Sequence, residues 1–118
     1  MCRPSEPEAA MKRFLVLYRA PISASEQMAK VTPVQAKQGM DLWKAWGKKA
    51  AASIIDMGAP LERAATIAGP ASAGHIGGFS ILQAASVDAL KKTLEGHPHL
   101  KMPGGSIEVF ELLSLPGM

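Results

Sequence analysis

Along the chain, short apolar runs alternate with two longer stretches in which apolar residues recur every three or four positions. The first run, Phe14-Leu15-Val16-Leu17-Tyr18, is apolar on both alternating faces, which predicts a central strand covered on both sides. Pro21 ends it, and residues 22–31 read as a polar connection. Thr32-Pro33-Val34-Gln35 is a helix start. Threonine can cap, proline suits the first helical position, and glutamine can close a capping box. The helix is expected from Pro33 to about Ala52. Ala36, Met40, Trp43, Gly47, Ala50 and Ile54 form its apolar stripe, with Lys37, Asp41, Lys44 and Lys48 opposite.

Ser53-Ile54-Ile55-Asp56-Met57-Gly58 can extend that helix or begin a strand. The β-branched pair and the Gly58-Ala59-Pro60 stop favour a strand. Ala64-Ala65-Thr66-Ile67-Ala68 is a candidate short strand. Gly69 to Gly74 is a small-residue loop with nothing evident to hold it, and Gly77-Gly78 lead into the strand Phe79–Ala84. Ser86 caps a second helix, Asp88 sits in its first turn, and Val87, Leu90 and Leu94 form its stripe. Gly96 is the stop. Ser106 to Leu113 is the last strand.

The predicted order is strand, helix, strand, strand, helix, strand, the split βαβ pattern of a ferredoxin-like α+β fold with an antiparallel sheet. Both helices connect on one side, so the other sheet face is expected to be bare. A bare face of leucine and phenylalanine must be covered, and self-association sheet to sheet covers it.

At 118 residues this is expected to be one domain, residues 11–118, after a tail at residues 1–10, with Met11 a candidate natural start. Cys2 is the sole cysteine, so no intrachain disulfide forms, which fits a reducing cytoplasm. No run is long enough to span a bilayer, and the N-terminus lacks a signal-peptide pattern. The net charge of +3 is a weak bias. Lys37, Lys44, Lys48 and Lys49 read as a solvated helix face, with Lys37 and Asp41 spaced to pair. No nucleic-acid motif accompanies them, so neither nucleic acid nor membrane is expected as a partner.

Candidate chemistry concentrates near the C-terminus. His97-Pro98-His99 follows a helix stop and precedes the Gly104-Gly105 turn and a strand carrying Glu108. Imidazoles and a carboxylate at an element end are raw material for acid/base chemistry. The alternative is that the histidines and Pro98 shape the helix-to-strand turn. Glu108 alternates with Phe110 and Leu112. It is read as an acid among apolar neighbours, or else as a rim residue or an ion pair across a dimer.

Tyr18 and Arg19 end the first strand, where strand ends face clefts. Arg19 can clamp a carboxylate or make a surface ion pair. Asp56 can cap a turn at Gly58 or face the histidines across the sheet. His75 lies in the 69–78 loop, which can act as a lid over a pocket or sit in solvent. Trp43 is assigned to the core, and Trp46 to the helix–sheet interface or a pocket. No third metal ligand stands at a recognised spacing, and no nucleophile elbow, phosphate loop or dinucleotide fingerprint occurs. No metal and no cofactor are expected.

Several segments carry a resemblance. Lys12-Arg13-Phe14-Leu15-Val16-Leu17-Tyr18, Asp56-Met57-Gly58-Ala59-Pro60-Leu61, Gly77-Gly78-Phe79-Ser80-Ile81 and the stretch from His97-Pro98-His99 to Ile107-Glu108-Val109 resemble the YCII-related domain proteins, over roughly residues 11–115. The resemblance implies a ferredoxin-like protomer that pairs as a dimeric α+β barrel. A histidine–aspartate pair suggested for some members places the histidine on the first helix. This chain has no histidine between Thr32 and Ser53, so that dyad is not carried over.

The expected function is a homodimer with a small-molecule pocket. In the first reading it is a cofactor-independent acid/base enzyme. His97, His99 and Glu108 would move protons, and Tyr18, Arg19, His75 and Asp56 would hold the substrate. The rivals are a non-catalytic ligand-binding or accessory protein and a protein-interaction module.

Overall fold

The computed structural model describes residues 11–116, so the expected tail at residues 1–10 lies outside the described residues. Strand β1 (Lys12–Ala20) leads into helix α1 (Ala24–Lys30) and then helix α2 (Pro33–Lys49). Strands β2 (Ile54–Pro60) and β3 (His75–Ala84) follow, then helix α3 (Val87–Leu94) and strand β4 (Ser106–Glu111). The four strands form one sheet in the order β2-β3-β1-β4. Each neighbouring pair runs antiparallel. The architecture is α+β, with β1 at the centre of the sheet as its doubly apolar pattern predicted.

Local capping explains where the helices start. Gln35 donates its backbone N–H to Thr32 Oγ1 at 3.1 Å, and Thr32 donates its own to Gln35 Oε1 at 2.9 Å. This is the expected capping box. Ser86 accepts from the Ala89 N–H at 3.1 Å, again as expected. Helix α1 overturns the reading of residues 22–31 as a plain connection. Its signal was present: Ser23 caps it by accepting from the Glu26 N–H at 3.2 Å, the Ser-x-x-Glu spacing of a helix N-terminus.

Helix α2 ends at Lys49, short of Ala52, and Ala51–Ser53 form a 3-10 turn before β2. Residues 64–68 form no strand, because no partner strand lies beside them and Ile67 is 95% exposed. Strand β3 starts at His75, ahead of the predicted Phe79, because His75 and Ile76 pair with Ala20 and Arg19 across a bulge. The last strand stops at Glu111.

Alternation along β1 and β3 sorts the sheet into two faces. Phe14, Val16, Tyr18, Ser80 and Leu82 point to the helix side, where they meet Trp46 of α2, its C-cap Ala50, and Leu90 and Leu94 of α3. Leu15, Leu17, Phe79 and Ile81 point the other way. They align with Phe110 of β4, which pairs with Leu15 and is 49% exposed. The helix residues of the core pack on the first face, and on the second Arg19 reaches the loop carbonyl of Ala73.

Candidate functional site

The site is built on the helix-side end of β1. Tyr18 is buried, and its O–H donates to Ser80 Oγ at 2.8 Å. Ser80 in turn donates to the Met57 carbonyl at 2.7 Å. The direction of both bonds follows from chemistry: a carbonyl can only accept, so the single serine hydrogen is committed to Met57 and the phenol must donate to Ser80. Burial pushes the Tyr18 pKa above its usual value, and the Ser80 hydrogen bond opposes part of that shift.

The two histidines occupy the turn before β4 but have different environments. His97 is fully buried, with its ring stacked on Tyr18 at 4.9 Å between centroids and packed edgewise to Trp43 at 4.6 Å and Trp46 at 4.4 Å. Its Nδ1 accepts the His99 backbone N–H at 3.0 Å, so the neutral ring carries its proton on Nε2. Burial, with the neighbouring His99 second, lowers its pKa to about 4. This ring is a neutral packing and capping element at physiological pH. His99 is also buried, and its Nε2–H donates to the Arg19 carbonyl at 2.7 Å.

Between the sheet and α1 and α2 lies a cavity of about 450 Å³, inside the range of roughly 300–1,000 Å³ usual for small-molecule sites. Tyr18, Trp43 and His99 form its aromatic wall, and Met28, Met40, Met57 and Met102 contribute flexible thioethers. Gln27 and Lys44 are the other polar side chains of the lining.

The sheet-side floor is backbone, because glycine removes the side chains that would fill it. Gly58 has φ +81°, and a Cβ there would fall 1.6 Å from the Phe79 carbonyl oxygen. At Gly78 a Cβ would crowd the Ala59 carbonyl oxygen at 3.3 Å.

The structure separates the expected site residues into two groups. Tyr18, His97 and His99 come together, and Tyr18 and His99 line the cavity. Arg19 does not join them, because it follows Tyr18 in an extended strand and its side chain leaves on the opposite face. There it pairs with Glu108 at 3.3 Å and donates to the Ala73 carbonyl at 2.9 Å. Glu108 alternates with Ile107 and Val109, which pack against the core, so it too faces away from the histidines. The pairing of Arg19 and Glu108 lies within one chain and is half-exposed, worth at most about 1 kcal/mol.

Asp56 is exposed and accepts the Gly58 N–H at 2.8 Å, the turn-capping alternative. His75 belongs to β3 and lines a second hollow, of about 320 Å³, with Glu62, Arg63 and Ser72. The glycine-rich loop ahead of it is held. Arg63 donates to the Ser72 carbonyl at 3.1 Å, and Arg19 holds Ala73. It is tied on the Arg19 side of the sheet and contributes no residue to the larger cavity. The Ser25 hydroxyl and backbone N–H hold the Glu62 carboxyl below its usual range and join this segment to α1.

Trp46 takes the helix–sheet interface, one of its two expected places, buried and anchored by its Nε1–H to the Thr93 carbonyl at 3.2 Å, whereas Trp43, expected in the core, is half-buried against it and lines the cavity. Sequence reasoning missed Gln27, the methionine lining and Ser80. The last carried a readable signal, a lone hydroxyl on the inward register of an apolar strand. Among the described residues no cluster of three or more potential ligands could hold a metal ion. No described helix is long and apolar enough to cross a membrane. No protein-family model matches the chain, and no curated protein matches it.

Proposed function

We propose that this chain is a YCII-related, ferredoxin-like protomer that binds a small, largely apolar molecule between its sheet and its helices. The observation that carries the reading is the cavity of about 450 Å³, walled by Tyr18, Trp43, His99 and four methionines over a glycine floor. Aromatic and thioether groups favour a flat, polarisable ligand, and thioethers adapt to its outline. The same reading pairs two protomers through the sheet face of Leu15, Leu17, Ile81 and Phe110, closing a dimeric α+β barrel in a cytoplasmic setting. On that face Phe110 is 49% exposed, which supports the pairing.

A catalytic form of this reading rests on His99, the histidine that lines the cavity. It would transfer a proton without a cofactor while His97 supports the turn. Glu108, on the opposite face, has no part in such a step within one protomer.

The test is methyl NMR of methionine-labelled protein titrated with 2-naphthol, a flat probe that fits the cavity. Met28, Met40, Met57 and Met102 line it, whereas Met11 does not. Shifts of those four methyls with Met11 unmoved are the expected result. Shifts confined to Met11, or none at millimolar probe, would refute the site.

A further inference from the structure

We propose that the ligand of this cavity is a hydrogen-bond donor, a neutral aromatic O–H or N–H compound, because the buried polar groups lining it can only accept. The inference rests on the small-molecule reading above and specifies the ligand's polarity. It follows from where the hydrogens are committed.

Ser80 gives its single hydrogen to the Met57 carbonyl, so Tyr18 must direct its phenolic hydrogen to Ser80. The Tyr18 oxygen is left with lone pairs and no free hydrogen. His99 directs Nε2–H to the Arg19 carbonyl, and in the neutral ring Nδ1 then holds a lone pair. Both side chains are less than a tenth exposed, and both line the cavity.

A guest that brings only acceptors to this wall would face lone pairs with lone pairs and lose its own hydration. A guest with an O–H or N–H gains a partner there. The donors among the lining side chains sit on its less buried residues, half-buried Trp43 with its indole N–H among them. Half-buried Gln27 commits one amide hydrogen to the Ile22 carbonyl at 3.2 Å and keeps the other, and exposed Lys44 carries a charge. The polarity therefore runs from donors on the half-buried and exposed lining residues to acceptors on buried Tyr18 and His99. A phenol or an aryl N–H compound lying with its ring among the methionines matches that gradient, with its hydrogen toward Tyr18 or His99.

The test compares isosteres on the intact protein at pH 8. Binding of 2-naphthol, 2-methoxynaphthalene and 2-naphthoate is followed by quenching of tryptophan emission, since Trp43 lines the cavity. The expected result is that naphthol binds tighter than its methyl ether by about tenfold, the value of one hydrogen bond in a dry site. The preference should shrink in Tyr18→Phe, with Gln27→Met, at the mouth, keeping it as a folded control. Equal affinity for naphthol and the ether would overturn the polarity inference while leaving the cavity as a binding site. Tighter binding of naphthoate would overturn it in favour of recognition by Lys44. Failure of all three probes to bind would overturn the underlying reading as well.

Discussion

The imidazole of His97 lies against the phenol ring of Tyr18, with centroids 4.9 Å apart and planes inclined by 26°. Two tryptophans close the other sides of the same imidazole. A ring placed this way holds α2, the 97–102 turn and β1 in one cluster, and it does so in the neutral state.

The pH dependence of stability follows. The His97 pKa falls from 6.5 in the unfolded chain to about 4 in the folded protein. Between those values the unfolded state binds the extra proton, so stability rises with pH. The contribution is fully present above pH 6.5 and is lost as pH falls toward 4. The shift corresponds to about 3 kcal/mol. Urea melts from pH 7.5 to 4 should show this loss, and His97→Phe should flatten the slope in that window. An unchanged slope in the variant would assign the loss elsewhere.

Trp46, not Trp43, anchors helix α2. Trp46→Ala removes a 95% buried indole and its bond to the Thr93 carbonyl, so a loss of about 3–5 kcal/mol is expected. Met40→Ala, at a side chain 56% exposed, should change stability by less than about 1 kcal/mol. Chemical denaturation of the pair distinguishes this helix face from the wider stripe the periodicity predicted.

Gly58 should tolerate no side chain. Its φ of +81° and the approach of the Phe79 carbonyl oxygen make Gly58→Ala costly by more than about 2 kcal/mol. Hydrogen exchange should show the loss first in β2, the edge strand, before it reaches β1.

The sheet face that carries Phe110 yields a prediction on assembly. Sedimentation at low micromolar concentration is expected to report about twice the 12.4 kDa chain mass. Phe110→Asp places a charge among Leu15 and its neighbours on that face and should shift the protein to the monomer. A wild-type monomer under those conditions would refute the barrel pairing.

Local and distant causes shape different parts of this protein. Capping at Thr32 and Ser86 was legible because each cap satisfies backbone groups within one turn of itself. The central strand was legible because a run apolar on both faces needs cover on both. Even the separation of Tyr18 from Arg19 is present in the strand period, and so is the Ser23 cap of α1.

The site itself depended on tertiary structure. Tyr18 meets Ser80 across 62 positions, and His99 meets the Arg19 carbonyl across 80. No local pattern encodes which tryptophan of α2 is buried, since Thr93 and His97, both far along the chain, decide it. The amino-acid sequence by itself determined where helices begin, which strand lies at the centre and that histidines stand at a helix-to-strand turn. The packed chain alone decided which of those histidines lines the cavity and which way each buried hydrogen points. The reason is physical: capping and periodicity act over one turn or two residues, whereas a hydrogen bond's direction depends on every partner the fold brings within reach.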